Sequence, residues 1–154
     1  MKLRFVFTFA AALSTIACTQ QTTSTASDSG TPVEGMHTGS TCPTGSTLTY
    51  DNFARPFAEQ YCVRCHSSTL TGDARHGAPE FHDFDTEQGI LDVAEHVDQQ
   101  AAAGPDAVNT LMPYDTNGPA PTVEERRRLG EWLACEMMAA AGDGGTTHGA
   151  DAGH

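Results

Sequence analysis

Apolar side chains recur at helical spacing in three stretches of the chain and alternate with period two in none. Phe53, Phe57 and Tyr61 stand four positions apart, which sets three aromatics on one face of a helix opening near Asn52. Pro56 falls in its first turn, where a missing N–H is tolerated. A second stripe, Ile90, Ala94, Val97 and Ala101, follows Asp85 and Thr86 as alternative N-caps and stops at Gly104-Pro105. A third begins at Thr122, with Glu125 placed to complete a capping box. Leu129, Trp132, Leu133 and Met137 form the buried face of that helix. The expected fold class is therefore all-α.

The flanks lack such patterning. Lys2 and Arg4 precede the short apolar run "FVFTFAAALSTIA", so residues 1–17 read as an export signal. The junction Ala17-Cys18 resembles a bacterial lipobox, with Thr15 where leucine is commoner, and this implies a lipid on Cys18. Residues 18–41, rich in Ser, Thr, Gln and Gly, read as a flexible tether, and 142–154 as a disordered tail. The folded domain is expected over 42–141. Thr19 and Gln20 lack the aspartate that retains lipoproteins at the inner membrane in bacteria of the enteric type. The expected location is the periplasm or the outer membrane, with membrane contact through the lipid alone.

Two loops interrupt the domain, Arg75 to Phe84 and Asp106 to Pro121, both rich in Gly and Pro. Short helices joined by such loops leave little to pack at the centre. A large flat apolar group would supply the missing core.

Charge narrows the partners. The chain has 8 basic and 20 acidic residues, a net charge of −12, and its one lysine, Lys2, lies in the signal. That balance argues against nucleic acid and favours a partner with a basic docking surface. The run "ERRRLGEW" does not change this, because Glu124 and Arg128 read as an i,i+4 pair on a solvated face. The stretch "DFDTEQGILDVAE" echoes a calcium loop, but its glycine is one place late and Ala94 stands where a bidentate Glu belongs.

The chemistry concentrates in "QYCVRCHSS". Cys62 and Cys65 are three apart and His66 follows directly. A zinc site would need further ligands at finger-like spacing, which Cys42, Cys135, His76 and His82 do not provide. A thiol–disulfide oxidoreductase would place the pair at a helix start after a strand, whereas here it ends an aromatic-faced helix. Covalent haem uses all three residues, the thiols as thioethers and His66 as proximal iron ligand. In an exported chain the remaining cysteines, Cys42 and Cys135, are expected to pair as a disulfide.

With Cys-x-x-Cys-His at 62–66, Phe53 and Phe57 before it and Leu129 and Trp132 in the last helix, the region from about Tyr50 to Glu136 resembles a class I cytochrome c domain. The resemblance implies one haem c wrapped by helices and a sixth ligand from a Met-Pro pair, here Met112-Pro113. It also implies a proline whose carbonyl accepts a bond from the proximal histidine, a role for which "RHGAP" offers Pro79. Arg75 is a candidate partner for a haem propionate, against the plainer reading of a surface arginine. His96, on the middle helix, is the rival sixth ligand, against that of a solvated helix face. The implied function is single-electron transfer between redox proteins rather than catalysis. The alternatives are a haem sensor, or an accessory haem subunit of a redox enzyme, with a labile sixth ligand, and more remotely the thiol oxidoreductase.

Overall fold

The computed structural model describes residues 34–115 and 118–143. The export signal, Cys18 with its lipid, most of the expected tether and the tail from 144 onward lie outside the described residues. Regular structure among the described residues is helical, with no strand and one isolated bridge between Ala103 and Val108. A π-helical turn, Tyr50–Ala54, runs into α1 (Arg55–Tyr61); α2 is Glu87–Leu91, α3 Ala94–Ala101 and α4 Val123–Asp143. A short 3-10 turn, Gly72–Arg75, lies between α1 and α2.

The first helical stretch opens earlier than Asn52. Thr49 Oγ1 accepts the Asn52 N–H at 3.2 Å, and Asn52 Oδ1 accepts the Thr49 N–H at 2.9 Å. This reciprocal cap satisfies two backbone donors and leaves Pro56 in the first turn of α1. Phe53 then packs against Phe57 with ring centroids 5.7 Å apart and tilted planes, and Phe57 meets Tyr61 edge to face at 4.9 Å.

The stripe expected as one helix is two. Val93 leaves helical geometry (φ −130°, ψ 30°) and separates α2 from α3. Of the two candidate caps, Thr86 is used, its side chain accepting from Gly89 N–H. Asp85 instead accepts the Ser68 N–H at 2.6 Å, tying the base of α2 to the chain after His66. Ile90 of α2 and Val97 of α3 still line one cavity.

In α4 the Thr122–Glu125 box forms, with Glu125 Oε2 accepting the Thr122 N–H at 2.8 Å. Leu129, Trp132 and Leu133 are buried against Phe53, Phe57, Phe84, Ile90 and Val97. Met137, expected on the same face, is 43% exposed. By that point α4 has run past the edge of the core, so periodicity continues without anything to cover it. The helix reaches Asp143, beyond the boundary expected at 141.

The expected tether gives way to packed chain before its end. Thr38 is fully buried and gives Asp98 both its N–H, at 2.9 Å, and its hydroxyl, at 2.6 Å. Asp106 N–H bonds the Thr38 carbonyl at 2.9 Å, and Asn109 Nδ2 bonds the Met36 carbonyl at 2.7 Å. A buried carboxylate needs donors, and this strap supplies them to Asp98. Next along the chain, Cys42 and Cys135 form a disulfide that joins the strap to α4. A β-carbon on Gly130 would lie 2.4 Å from Ser40 Oγ, so only glycine lets the strap and α4 approach this closely.

Candidate functional site

The chain leaving α1 is wound tightly. Cys62 N–H bonds the Ala58 carbonyl at 2.8 Å, and both Cys65 and His66 N–H bond the Cys62 carbonyl, at 3.0 and 2.9 Å. These turns carry Cys62, Cys65 and His66 into the wall of one cavity of ≈ 300 Å³. Phe57, Tyr61, Phe84, Ile90, Val97 and Leu129 supply apolar walls, and Met112 lines the same space. Residues far apart in sequence therefore meet there: the Cys-x-x-Cys-His run after α1 and the Met-Pro pair before α4. The Met112–Pro113 peptide is cis. His96 also lines the cavity, with its ring centroid 5.0 Å from that of His82, rather than standing on a solvated face.

His66 is held on two sides. Its ring stacks on Phe84 at 4.5 Å with the planes 9° apart. Its Nδ1 lies 3.3 Å from the His82 carbonyl. A carbonyl can only accept, so Nδ1 carries the proton and Nε2 keeps its lone pair free for a metal. Burial holds the imidazole below its ordinary pKa, with the nearby Arg75 charge adding to the effect, so the ring is neutral at pH 7. That is the form in which histidine ligates.

The carbonyl in this role belongs to His82 and not to Pro79. Pro79 accepts instead from Arg75 and from His82 N–H, the latter at 3.1 Å. Arg75 is not a surface residue, being 3% exposed, and its donors are spent within the loop. They reach the carbonyls of Ser67 (2.7 Å), Ala78 (3.1 Å) and His82 (3.1 Å) and the carboxylate of Asp83 (2.8 Å). A guanidinium so engaged organises residues 67–83 and has no fork to offer a propionate. The expected roles of Pro79 and Arg75 thus pass to one arrangement, in which Arg75 presents the carbonyl that fixes His66.

The thiols are unpaired, with no bond between Cys62 and Cys65. Burial pushes the Cys62 thiol up to about 12, which leaves it protonated and a poor nucleophile for disulfide exchange. No group of three or more His, Cys, Asp or Glu placed to hold a metal ion occurs among the described residues.

Two arginines pointed out by no sequence signal stand at the site, Arg64 in the cavity wall and Arg126 behind Met112. Arg64, between the two cysteines, reaches the Asp115 carbonyl at 3.2 Å. Arg126 is 4% exposed although it belongs to the run read as solvated. The expected pair of that run also differs, since Glu124 meets Arg127 at 3.5 Å and Arg128 lies 4.5 Å over the ring of Phe53. Carbonyl partners have no signature in sequence, so only the fold could find these residues.

Haem c fits the residues that line this cavity. Two free thiols lie beside a neutral histidine with its Nε2 available, a thioether shares the space, and the walls are apolar. Comparison of the chain with family models, with curated proteins and with solved structures finds no match.

Proposed function

We propose that the chain is a single-electron carrier, an exported and lipid-anchored c-type cytochrome with one covalent haem. Cys62 and Cys65 would hold the haem as thioethers, His66 would be the proximal iron ligand and Met112 the distal one. The observation that supports the reading most is the convergence of these four residues on one apolar cavity. When bound, haem supplies a one-electron iron couple, which a thioether ligand biases toward Fe(II).

The chain's own contribution is to position and to exclude water. Phe57, Tyr61 and Leu129 keep the cavity dry, which limits solvent reorganisation around a change of charge. The His82 carbonyl orients His66 and fixes its tautomer. Excess acidic charge on the chain favours a redox partner with a basic docking surface. Membrane attachment in this reading rests on Cys18, and among the described residues no helix is long and apolar enough to cross a bilayer.

The test is to express the full chain with a c-type haem maturation system. Haem that stays on the protein through acid–acetone extraction, with a low-spin spectrum in both oxidation states, is the expected result. A chain that matures without covalent haem overturns the proposal. A high-spin spectrum that binds small ligands would favour the sensor or accessory-subunit reading instead.

A further inference from the structure

Resting on that reading, we propose that Arg126 is the positioning residue for the distal ligand, fixing the backbone at Met112 so that its thioether stays on the iron. The Arg126 Nη1 sits among three carbonyls, those of Ala101 at 2.7 Å, Asn109 at 2.9 Å and Met112 at 2.8 Å. Ala101 ends α3, Asn109 and Met112 belong to the loop that follows, and Arg126 itself lies in the first turn of α4. One guanidinium nitrogen therefore joins three segments of chain at the point where the ligand is carried.

Met112 is bound through both ends of its backbone. Its N–H bonds the Gln100 carbonyl at 2.9 Å, while its own carbonyl takes Arg126. Asn109 N–H bonds the Ala102 carbonyl at 2.9 Å and holds the start of the same loop. Nothing in the composition of 106–121 would pin such a Gly- and Pro-rich loop, although half-buried Met112 packs against the edge of the core. The polar clamp fixes the backbone of this residue at both its N–H and its carbonyl.

The clamp is costly where it stands. A cation in the first turn of a helix opposes the helix dipole. Burial of the guanidinium is a further cost, and it holds Arg126 below its ordinary pKa. A sequence that breaks a local rule in this way marks a position with another task. Arginine suits it because its charge persists when buried, whereas a buried lysine sheds its proton more readily.

The experiment compares haem-loaded wild type with Arg126→Lys and Arg126→Gln. In wild type the oxidised protein should show the sulfur-to-iron charge-transfer band, and the reduced protein should not bind carbon monoxide. Arg126→Gln should keep its covalent haem and helical circular dichroism, lose the band, bind carbon monoxide and fall in potential. Arg126→Lys should restore part of the band, since its ammonium keeps the charge and N–H donors but on a shorter stem. If both variants fold with haem and keep the band, the potential and the inertness to carbon monoxide, the proposal is overturned. If neither folds, amide hydrogen exchange on wild type decides. Protection of the Met112 N–H equal to that of α4 supports a clamped loop, and exchange as fast as at exposed Tyr114 overturns it. Absence of covalent haem from wild type would instead bring down the reading on which this one rests, and the two failures are thus distinct.

Discussion

The carbonyl of His82 stands 3.3 Å from Nδ1 of His66, 16 residues upstream of it, and Arg75 lies 3.1 Å from the same oxygen. A single backbone group therefore serves two side chains at once. Its place is set by the guanidinium, because Arg75 also binds the Ser67 carbonyl and the Asp83 carboxylate at either end of the loop. The orientation of a would-be iron ligand thus depends on an arginine whose donors are turned to the loop carbonyls.

Arg75→Gln should cost on the order of 3 kcal/mol, because it leaves several buried carbonyls without a donor. Urea unfolding of the haem-loaded protein measures this. A loss below about 0.5 kcal/mol, the range of ordinary surface substitutions, would mean that the loop holds itself without Arg75.

Met112→Ala should leave the haem attached, since thioethers at Cys62 and Cys65 do not depend on it. The oxidised spectrum should lose the sulfur-to-iron band, the reduced form should take carbon monoxide, and the potential should fall. Met112→His should restore six coordination at a lower potential still than wild type. An unaltered spectrum in Met112→Ala would show that another residue ligates, and His96, which lines the same cavity, is then the first to replace.

Cys42 and Cys135 close a loop of 93 residues in sequence separation. Replacing both with serine should lower stability by about 2–5 kcal/mol, chiefly by freeing the unfolded chain. Thermal melts of the variant and of wild type with and without reductant give the value. Coincident melts would show that the link carries no stability.

Asp98→Ala should release the strap at residues 34–41. Thr38 is fully buried and would keep a backbone N–H without an acceptor, a loss of about 2 kcal/mol. Limited proteolysis provides the readout: cleavage between Glu34 and Thr41 should become fast in the variant and be slow in wild type. Equal rates would mean that the strap is held by other contacts.

The backbone N–H and hydroxyl of Thr122 hold the Glu125 carboxyl below its ordinary pKa. In that state the folded protein binds fewer protons than the unfolded chain as the pH falls through the carboxylate range. The stabilisation is therefore complete above the ordinary glutamate pKa and is lost as pH falls through the lowered one. Glu125→Gln should shallow the acid limb of a plot of melting temperature against pH and leave its slope above neutrality unchanged. An acid limb of unaltered slope would assign that loss to other carboxylates.

Unlike the break at Val93, the first and last helices and the Thr122–Glu125 cap were legible because they rest on neighbours within one turn. So was the candidate site, since Cys62, Cys65 and His66 are contiguous and Met112 is marked by its proline. Arg75, Arg126 and the His82 carbonyl were not, because each acts through main-chain oxygens, and any residue type could provide those. Thr38 was misread for a related reason. A polar stretch looks like solvent-exposed chain until one buried carboxylate, Asp98, is found to need it. Met137 shows the converse, an apolar residue in register with a core that has already ended.

The strap also decides where a mechanical load would go. A pull on the chain ahead of Glu34 meets Thr38, gripped by Asp98 of α3, and then Cys42, bonded to Cys135 of α4. Both anchors precede Tyr50, where the helical turn that leads to the cysteine motif begins. Tension is diverted into α3 and α4 before it reaches α1, as a cable clamp spares the joint behind it. A protein built this way can be tugged by its N-terminal end without α1 and the cysteine motif that follows it being the first thing to give.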